Sequence, residues 1–214
     1  MNQFLGVDSK LVQFFTLLGN LILLNLLWIL TSLPIITAGA ASAAMYAVIF
    51  QYAEGTDDAV LKPFIKSFLS IFRQSTLLWI PICLLFIMLG IDMVFLIGNA
   101  ASGIAPLLWV PVVLISFLTA VILTYSFPLI AKFSAPLRNV LRNSVCLFFL
   151  NFFPSAGILM LNLLPWGLML LAPRLFFRTG ILWFLLGFSL IAYLNSRILL
   201  KIFKKYLAES SPQP

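Results

Sequence analysis

The chain has 214 residues, 63% of them hydrophobic and 9% charged, with a net charge of +7 and no histidine. A soluble domain carries roughly 25% charged residues, so a globule of this composition lacks the polar groups to cover itself, and its natural solvent is lipid. The missing imidazole removes the usual general base near neutral pH and the commonest metal ligand. The Lys and Arg residues sit at the ends of apolar runs, where membrane topology places them, so the basicity does not point to nucleic acid. These features predict an all-α, polytopic helical membrane protein.

From Leu11 to Ala53 there is no charge and one proline, Pro34. As a single helix this run would be about 65 Å long at 1.5 Å per residue, against a hydrocarbon core of about 30 Å. Two passes fit, over about 14–33 and 35–53, cornered at Ser32-Leu33-Pro34, where a proline removes an amide donor and suits a turn. The second pass is rich in Ala, Gly and Ser, which lets a neighbouring backbone approach closely. Two alternatives stay open at this point. One is a single span followed by a re-entrant or interfacial segment, and the other is signal-peptide cleavage after Ala40, against which the weakly basic n-region counts.

The next segment is different. At 100° per residue, Lys62, Lys66, Ser70 and Arg73 fall within about 80° of arc, with Phe64, Ile65, Phe68, Ile71 and Phe72 opposite. Pro63 suits a first helical turn, with Asp57 or Asp58 just upstream. This predicts an amphipathic helix over about 60–73, lying in the cytoplasmic interface with its basic face formed by Lys62, Lys66 and Arg73. Further spans follow at about 75–97, 105–130, 145–172 and 180–200. The expectation is therefore six transmembrane helices, or five in the alternative, in one membrane domain over 1–206, with 207–214 a disordered cytoplasmic tail. Six spans put every basic residue except Arg174 and Arg178 on one side, so the loop at 54–74 and the C-terminus are expected in the cytoplasm of a bacterial plasma membrane. The N-terminus is expected there too, on Lys10 alone.

Ionisable and polar groups inside spans are functional candidates by default. Asp92 is the acid inside a span, placed to reach water or to pair with Arg174 or Arg178. Asn151 and Asn162, eleven residues apart, share a helical face with Ser155 close by, and Asn25 lies in the first span. These amides suit bonding between helices, or the lining of a polar path. Pro81, Pro111, Pro128, Pro154 and Pro165 fall in or near spans, where freed carbonyls also serve binding sites. Cys83 and Cys146 lie in separate apolar runs without metal or disulfide spacing. No GxSxG, HExxH, P-loop or dinucleotide turn occurs, so neither enzyme activity nor a cofactor or metal is expected.

The stretch LGNLILLNLLWILTSLPIITAGAASAAMY (18–46), a short acidic loop, and FIKSFLSIFRQSTLLW (64–79) resemble the YesL-like bacterial membrane proteins, a domain family of unknown function. The resemblance covers roughly the first 95 residues. Its most specific part is Leu33-Pro34-Ile35-Ile36-Thr37-Ala38-Gly39, read as a packing and topology motif through Leu33, Pro34, Thr37 and Gly39. Members usually carry a basic residue in the turn after the second segment, and Ala53-Glu54-Gly55 departs from this. The resemblance implies a role beside carbohydrate uptake and polysaccharide breakdown, including binding-protein-dependent transporters. The expected function is thus a non-enzymatic accessory or regulatory component of carbohydrate uptake or utilisation, with the bilayer and a carbohydrate ABC-type transporter component as partners. The alternative is a small stand-alone permease or channel for a polar solute.

Overall fold

The computed structural model describes residues 10–55, 59–99 and 105–210. Every regular element among them is helical: α1 (Lys10–Ser32), α2 (Ala38–Ala53), α3 (Leu61–Gly98), α4 (Ala105–Lys132), α5 (Leu137–Leu150), α6 (Phe152–Leu171), the short α7 (Pro173–Arg178) and α8 (Gly180–Leu182), and α9 (Phe188–Ser210). Six helical stretches are long and apolar enough to cross a membrane: Leu11–Ser32, Ile35–Ala53, Leu61–Gly98, Leu107–Lys132, Phe152–Leu171 and Gly180–Leu207. The expected hairpin is present. α1 and α2 are joined through Pro34, whose φ of −75° and ψ of 114° turn the chain out of the helix, and a 3₁₀ turn at Ile35–Thr37.

α2 is the axis of the bundle. It packs on α1, α3, α4 and α9, and Gly39, Ala40, Ala41 and every residue from Ala43 to Phe50 are buried. Small side chains explain this: a helix surrounded by four others has no room for a Leu-sized surface on all sides, and Gly and Ala let the neighbours close in. The main core continues outward from it through Phe64, Val121, Tyr125, Phe148, Ile158, Leu199 and Phe203.

Three boundaries differ from expectation. The amphipathic stretch at 60–73 is not a separate helix on the membrane surface. It forms the first turns of α3, a continuous helix of 38 residues, about 57 Å long. No helix breaker separates Arg73 from Leu77, and the apolar face is consumed by protein: Phe64 is fully buried, and Phe68 and Ile71 pack against the same core. Asp57 and Asp58 lie outside the described residues. The span expected at 145–172 is interrupted at Asn151, where φ is −122° and ψ 49°. Pro154 offers no amide to the Leu150 carbonyl and its ring crowds that oxygen, so one helix ends and another begins. α5 then lies against α4 through Val140, Ser144, Leu147 and Phe148, and the spanning part is α6. Finally, α9 continues to Ser210, so positions 207–210 are helical, while 211–214 lie outside the described residues.

Beyond Trp79 the last 19 residues of α3 run on for about 28 Å. They pair with the first half of α4 through Leu85, Leu89 and Leu96 against Trp109 and Val112. The two form an arm with a small core of its own.

Candidate functional site

Four clusters hold the polar side chains singled out above, and each can be built from its residues. The first is the corner. The Thr37 hydroxyl meets the carbonyls of Thr31 and Pro34, and the Thr37 amide donates to the Pro34 carbonyl at 2.9 Å. One residue thereby ties the end of α1 to the start of α2. Trp28 Nε1 donates to Ser42 Oγ at 3.1 Å, a second tie across the hairpin. On the other side, Trp79 Nε1 donates to the Ile35 carbonyl at 2.7 Å. Gly39 faces that same indole: a Cβ there would stand 2.6 Å from Trp79 Cβ and 3.1 Å from the Ser75 carbonyl oxygen. Leu33 supplies no contact of this kind and points outward, 71% exposed, beside Ile35 and Ile36. The motif is a corner that seats α3 on α2.

The second cluster closes the bundle between its first and last long helices. Between α8 and α9 the chain makes a π-helical turn, Trp183–Gly187. Such a turn widens the ladder of backbone bonds. Asn25, fully buried in α1, reaches into it. Its amide nitrogen donates to the carbonyls of Trp183 at 3.2 Å and Phe184 at 2.7 Å, and its oxygen accepts from the Ser189 amide at 2.9 Å. Gly187 leaves space for the Trp183 ring, which a Cβ would meet at 2.3 Å.

The third is a polar seam between α2, α4, α6 and α9. Asn195 Nδ2 donates to Asn162 Oδ1 at 2.7 Å and to the Tyr46 hydroxyl at 3.4 Å. Asn195 Oδ1 is buried without a partner. One to three turns away, Tyr125 and Ser155 share a hydrogen bond of 2.6 Å, and Asn151 Nδ2 donates to the Tyr206 hydroxyl at 3.4 Å. Asn151, Ser155 and Asn162 thus do share a face, and it is turned toward α4 and α9. Tyr46 and Tyr125 were not foreseen. The available signal was a phenol inside an apolar span, Tyr46 just after the small residues of α2 and Tyr125 in α4, since a buried tyrosine hydroxyl needs a hydrogen-bond partner.

The fourth is the basic end. Glu54 and Lys132 form an ion pair there, joining α2 to α4, and Gln74 Nε2 donates to the Ala135 carbonyl at 2.6 Å. Around them Lys62, Lys66 and Arg73 on α3, Arg138 and Arg142 on α5, and Lys201, Lys204 and Lys205 on α9 are all exposed. Glu54–Lys132 is the ion pair among the described residues, so of the two alternatives for Asp92, reaching water or pairing with Arg174 or Arg178, the pair is not made. Asp92 stands exposed on the arm instead, at the end opposite Glu54. No group of three or more His, Cys, Asp or Glu suited to a metal occurs among the described residues.

A family model described as "Protein of unknown function, DUF624" matches residues 21–93, which run from α1 through the corner to Met93 in α3. The uncharacterized protein YesL of Bacillus subtilis (strain 168) is 32% identical over 203 residues, covering 93% of this chain and 92% of the relative. The chain belongs to the YesL family. No solved structure matches it. Within the YesL family model fall Asn25, the whole of the Leu33–Gly39 corner, Trp79, and the basic face of α3. The π-helical turn, the partners of the polar seam on α6 and α9, and Arg174 and Arg178 lie beyond it, in the part reached by the full-length relative.

Proposed function

We propose that this YesL-family protein is a non-enzymatic, multi-pass accessory component of bacterial carbohydrate uptake or utilisation. In this reading its basic end docks on an acidic cytoplasmic surface of a carbohydrate ABC-type transporter component. The observation that carries the reading is the disposition of the α3 segment bearing Lys62, Lys66 and Arg73. Its apolar side is spent on the protein's own core through Phe64, Phe68 and Ile71. The basic side is therefore held rigidly outward on a bundle wall, where a helix anchored only by lipid would lie flat. Exposed cations from α3, α5 and α9 together make a field that attracts an acidic surface and orients it. The excess of Lys and Arg at this end supports a cytoplasmic position for it at the plasma membrane, with both termini on that side in this reading. The resemblance supplies the carbohydrate setting. Asn195 bonds Asn162 and Asn151 bonds Tyr206 across helices, which supports a packing role for these amides over a solute path.

The test is photocrosslinking from positions 62 and 66 in living cells, combined with growth of a deletion strain on a panel of oligo- and polysaccharides. Recovery of a transporter subunit and a growth defect on particular sugars are the expected results. Crosslinks to lipid alone with normal growth on every sugar would sink the proposal. Solute flux through the purified, reconstituted protein would favour the stand-alone permease instead.

A further inference from the structure

We infer that the basic end holds an anionic phospholipid, its phosphate taken by Arg73, Arg138 and Arg142 and an acyl chain laid along α3. The reasoning starts from helix direction. α3 packs on α4 with the rings of Trp79 and Phe127 5.9 Å apart and with Leu89 and Leu96 in one core with Val112. α5 packs on α4 as well: the Ser126 and Ser144 hydroxyls share a 3.0 Å bond, and the ring of Phe148 meets that of Phe117. In both pairs residue numbers rise along one helix as they fall along α4, so α3 and α5 run the same way. The bond from Gln74 to the Ala135 carbonyl sets the start of α5 beside Arg73. Three exposed arginines thus gather where two parallel helices leave the basic end, and no acid pairs with them among the described residues.

Each helix turns apolar just past its arginines. On α3, Leu77, Ile80, Leu84, Ile87 and Met88 follow Arg73 within about 100° of arc, and all are 42–62% exposed. Leu77 to Met88 rises about 16 Å, half of a hydrocarbon core of about 30 Å and so the depth of one leaflet. On α5, Arg138 and Arg142 lie opposite the buried Val140, Ser144 and Leu147, and Phe149 continues their side. An arginine at the foot of such a stripe meets headgroups, and its planar fork suits phosphate oxygens. A zwitterionic lipid brings its own ammonium, which the three guanidiniums repel, so the fitting headgroup carries no cation. Lys62 stands about 17 Å further from the stripe than Arg73, which leaves Lys62 and Lys66 to the transporter surface proposed above.

The test offers the purified full-length protein equal amounts of phosphatidylglycerol and phosphatidylcholine and reads bound lipid by native mass spectrometry. Preferential retention of phosphatidylglycerol is expected. Arg73→Gln, Arg138→Gln and Arg142→Gln are each expected to lower that preference about fivefold, the effect of one basic residue beside an anionic headgroup. Removing three charges elsewhere at the same end, by Lys201→Gln/Lys204→Gln/Lys205→Gln, is expected to leave it unchanged. A phosphatidylglycerol with a diazirine midway along its acyl chain is expected to label the peptide spanning Leu77 to Met88. Equal retention of the two lipids, equal loss in the α9 triple variant, displacement by excess inorganic phosphate, or labelling that misses this peptide would each overturn the inference. No transporter is present in the assay, so its failure is distinct from failure of the docking proposal.

Discussion

Replacing Asn25 with leucine keeps the branched shape of the side chain and removes its donor and acceptor. Three hydrogen bonds disappear, at 2.7, 2.9 and 3.2 Å, all to the backbone around the π-helical turn. A hydrogen bond in a folded protein contributes about 0.5–1.5 kcal/mol net, and those between membrane helices average nearer 0.6 kcal/mol. Three of them amount to about 2–4 kcal/mol, and leucine recovers only part of this, because its methyls face carbonyl oxygens. The expected loss is therefore about 2 kcal/mol or more, measured by equilibrium unfolding in mixed micelles. Hydrogen exchange should localise the effect, with the Phe188 and Ser189 amides exchanging faster while those of the α2 core stay protected. A variant within about 0.5 kcal/mol of wild type, the scatter of an ordinary surface substitution, would refute the idea that Asn25 fastens the last helix. So would uniform acceleration of exchange, which would indicate general loosening.

Other substitutions test the remaining clusters. Gly39→Ala puts a Cβ 2.6 Å from Trp79 Cβ and is expected to destabilise by about 1–3 kcal/mol, read by the same unfolding assay. Thr37→Val removes the hydroxyl ties of the corner and is expected to cost about 1 kcal/mol, again by unfolding. A double-mutant cycle over Asn162→Leu and Asn195→Leu should return a coupling of about 0.5–1.5 kcal/mol, and additivity would mean that the 2.7 Å bond between them contributes nothing. Glu54→Gln opens a half-exposed ion pair and should change stability by less than about 1 kcal/mol.

Span number and the corner were readable because both rest on local rules: run length against bilayer thickness, and a proline at the middle of an uncharged stretch. The fate of the amphipathic segment was not, because period alone shows that Phe64 and Phe68 need cover without saying whether lipid or protein supplies it. The break at Asn151 had its signal in Pro154, four residues after Leu150, but intramembrane prolines are also common inside continuous helices, as Pro81 and Pro165 are here. Asn25 was recognisable as a buried amide needing partners. Its partners, 158 to 164 residues away, form a π-helical turn that no composition signals. Asp92 was expected to reach water or to pair with Arg174 or Arg178; it is exposed and makes no ion pair with either.

The contact between Asn25 and the turn at Trp183–Gly187 also has a meaning in time. During synthesis the helix bearing Asn25 is among the first to leave the ribosome, and the groups it binds are among the last. Until then α2, which is rich in Ala, lacks the α9 wall that completes its burial. The newborn protein is therefore an open sheaf of helices for most of its translation, and its final span acts as the fastener. A ribosome stalled before Trp183 would release a chain with all of its corner and none of its clasp, a form that membrane quality-control proteases should distinguish from the finished molecule.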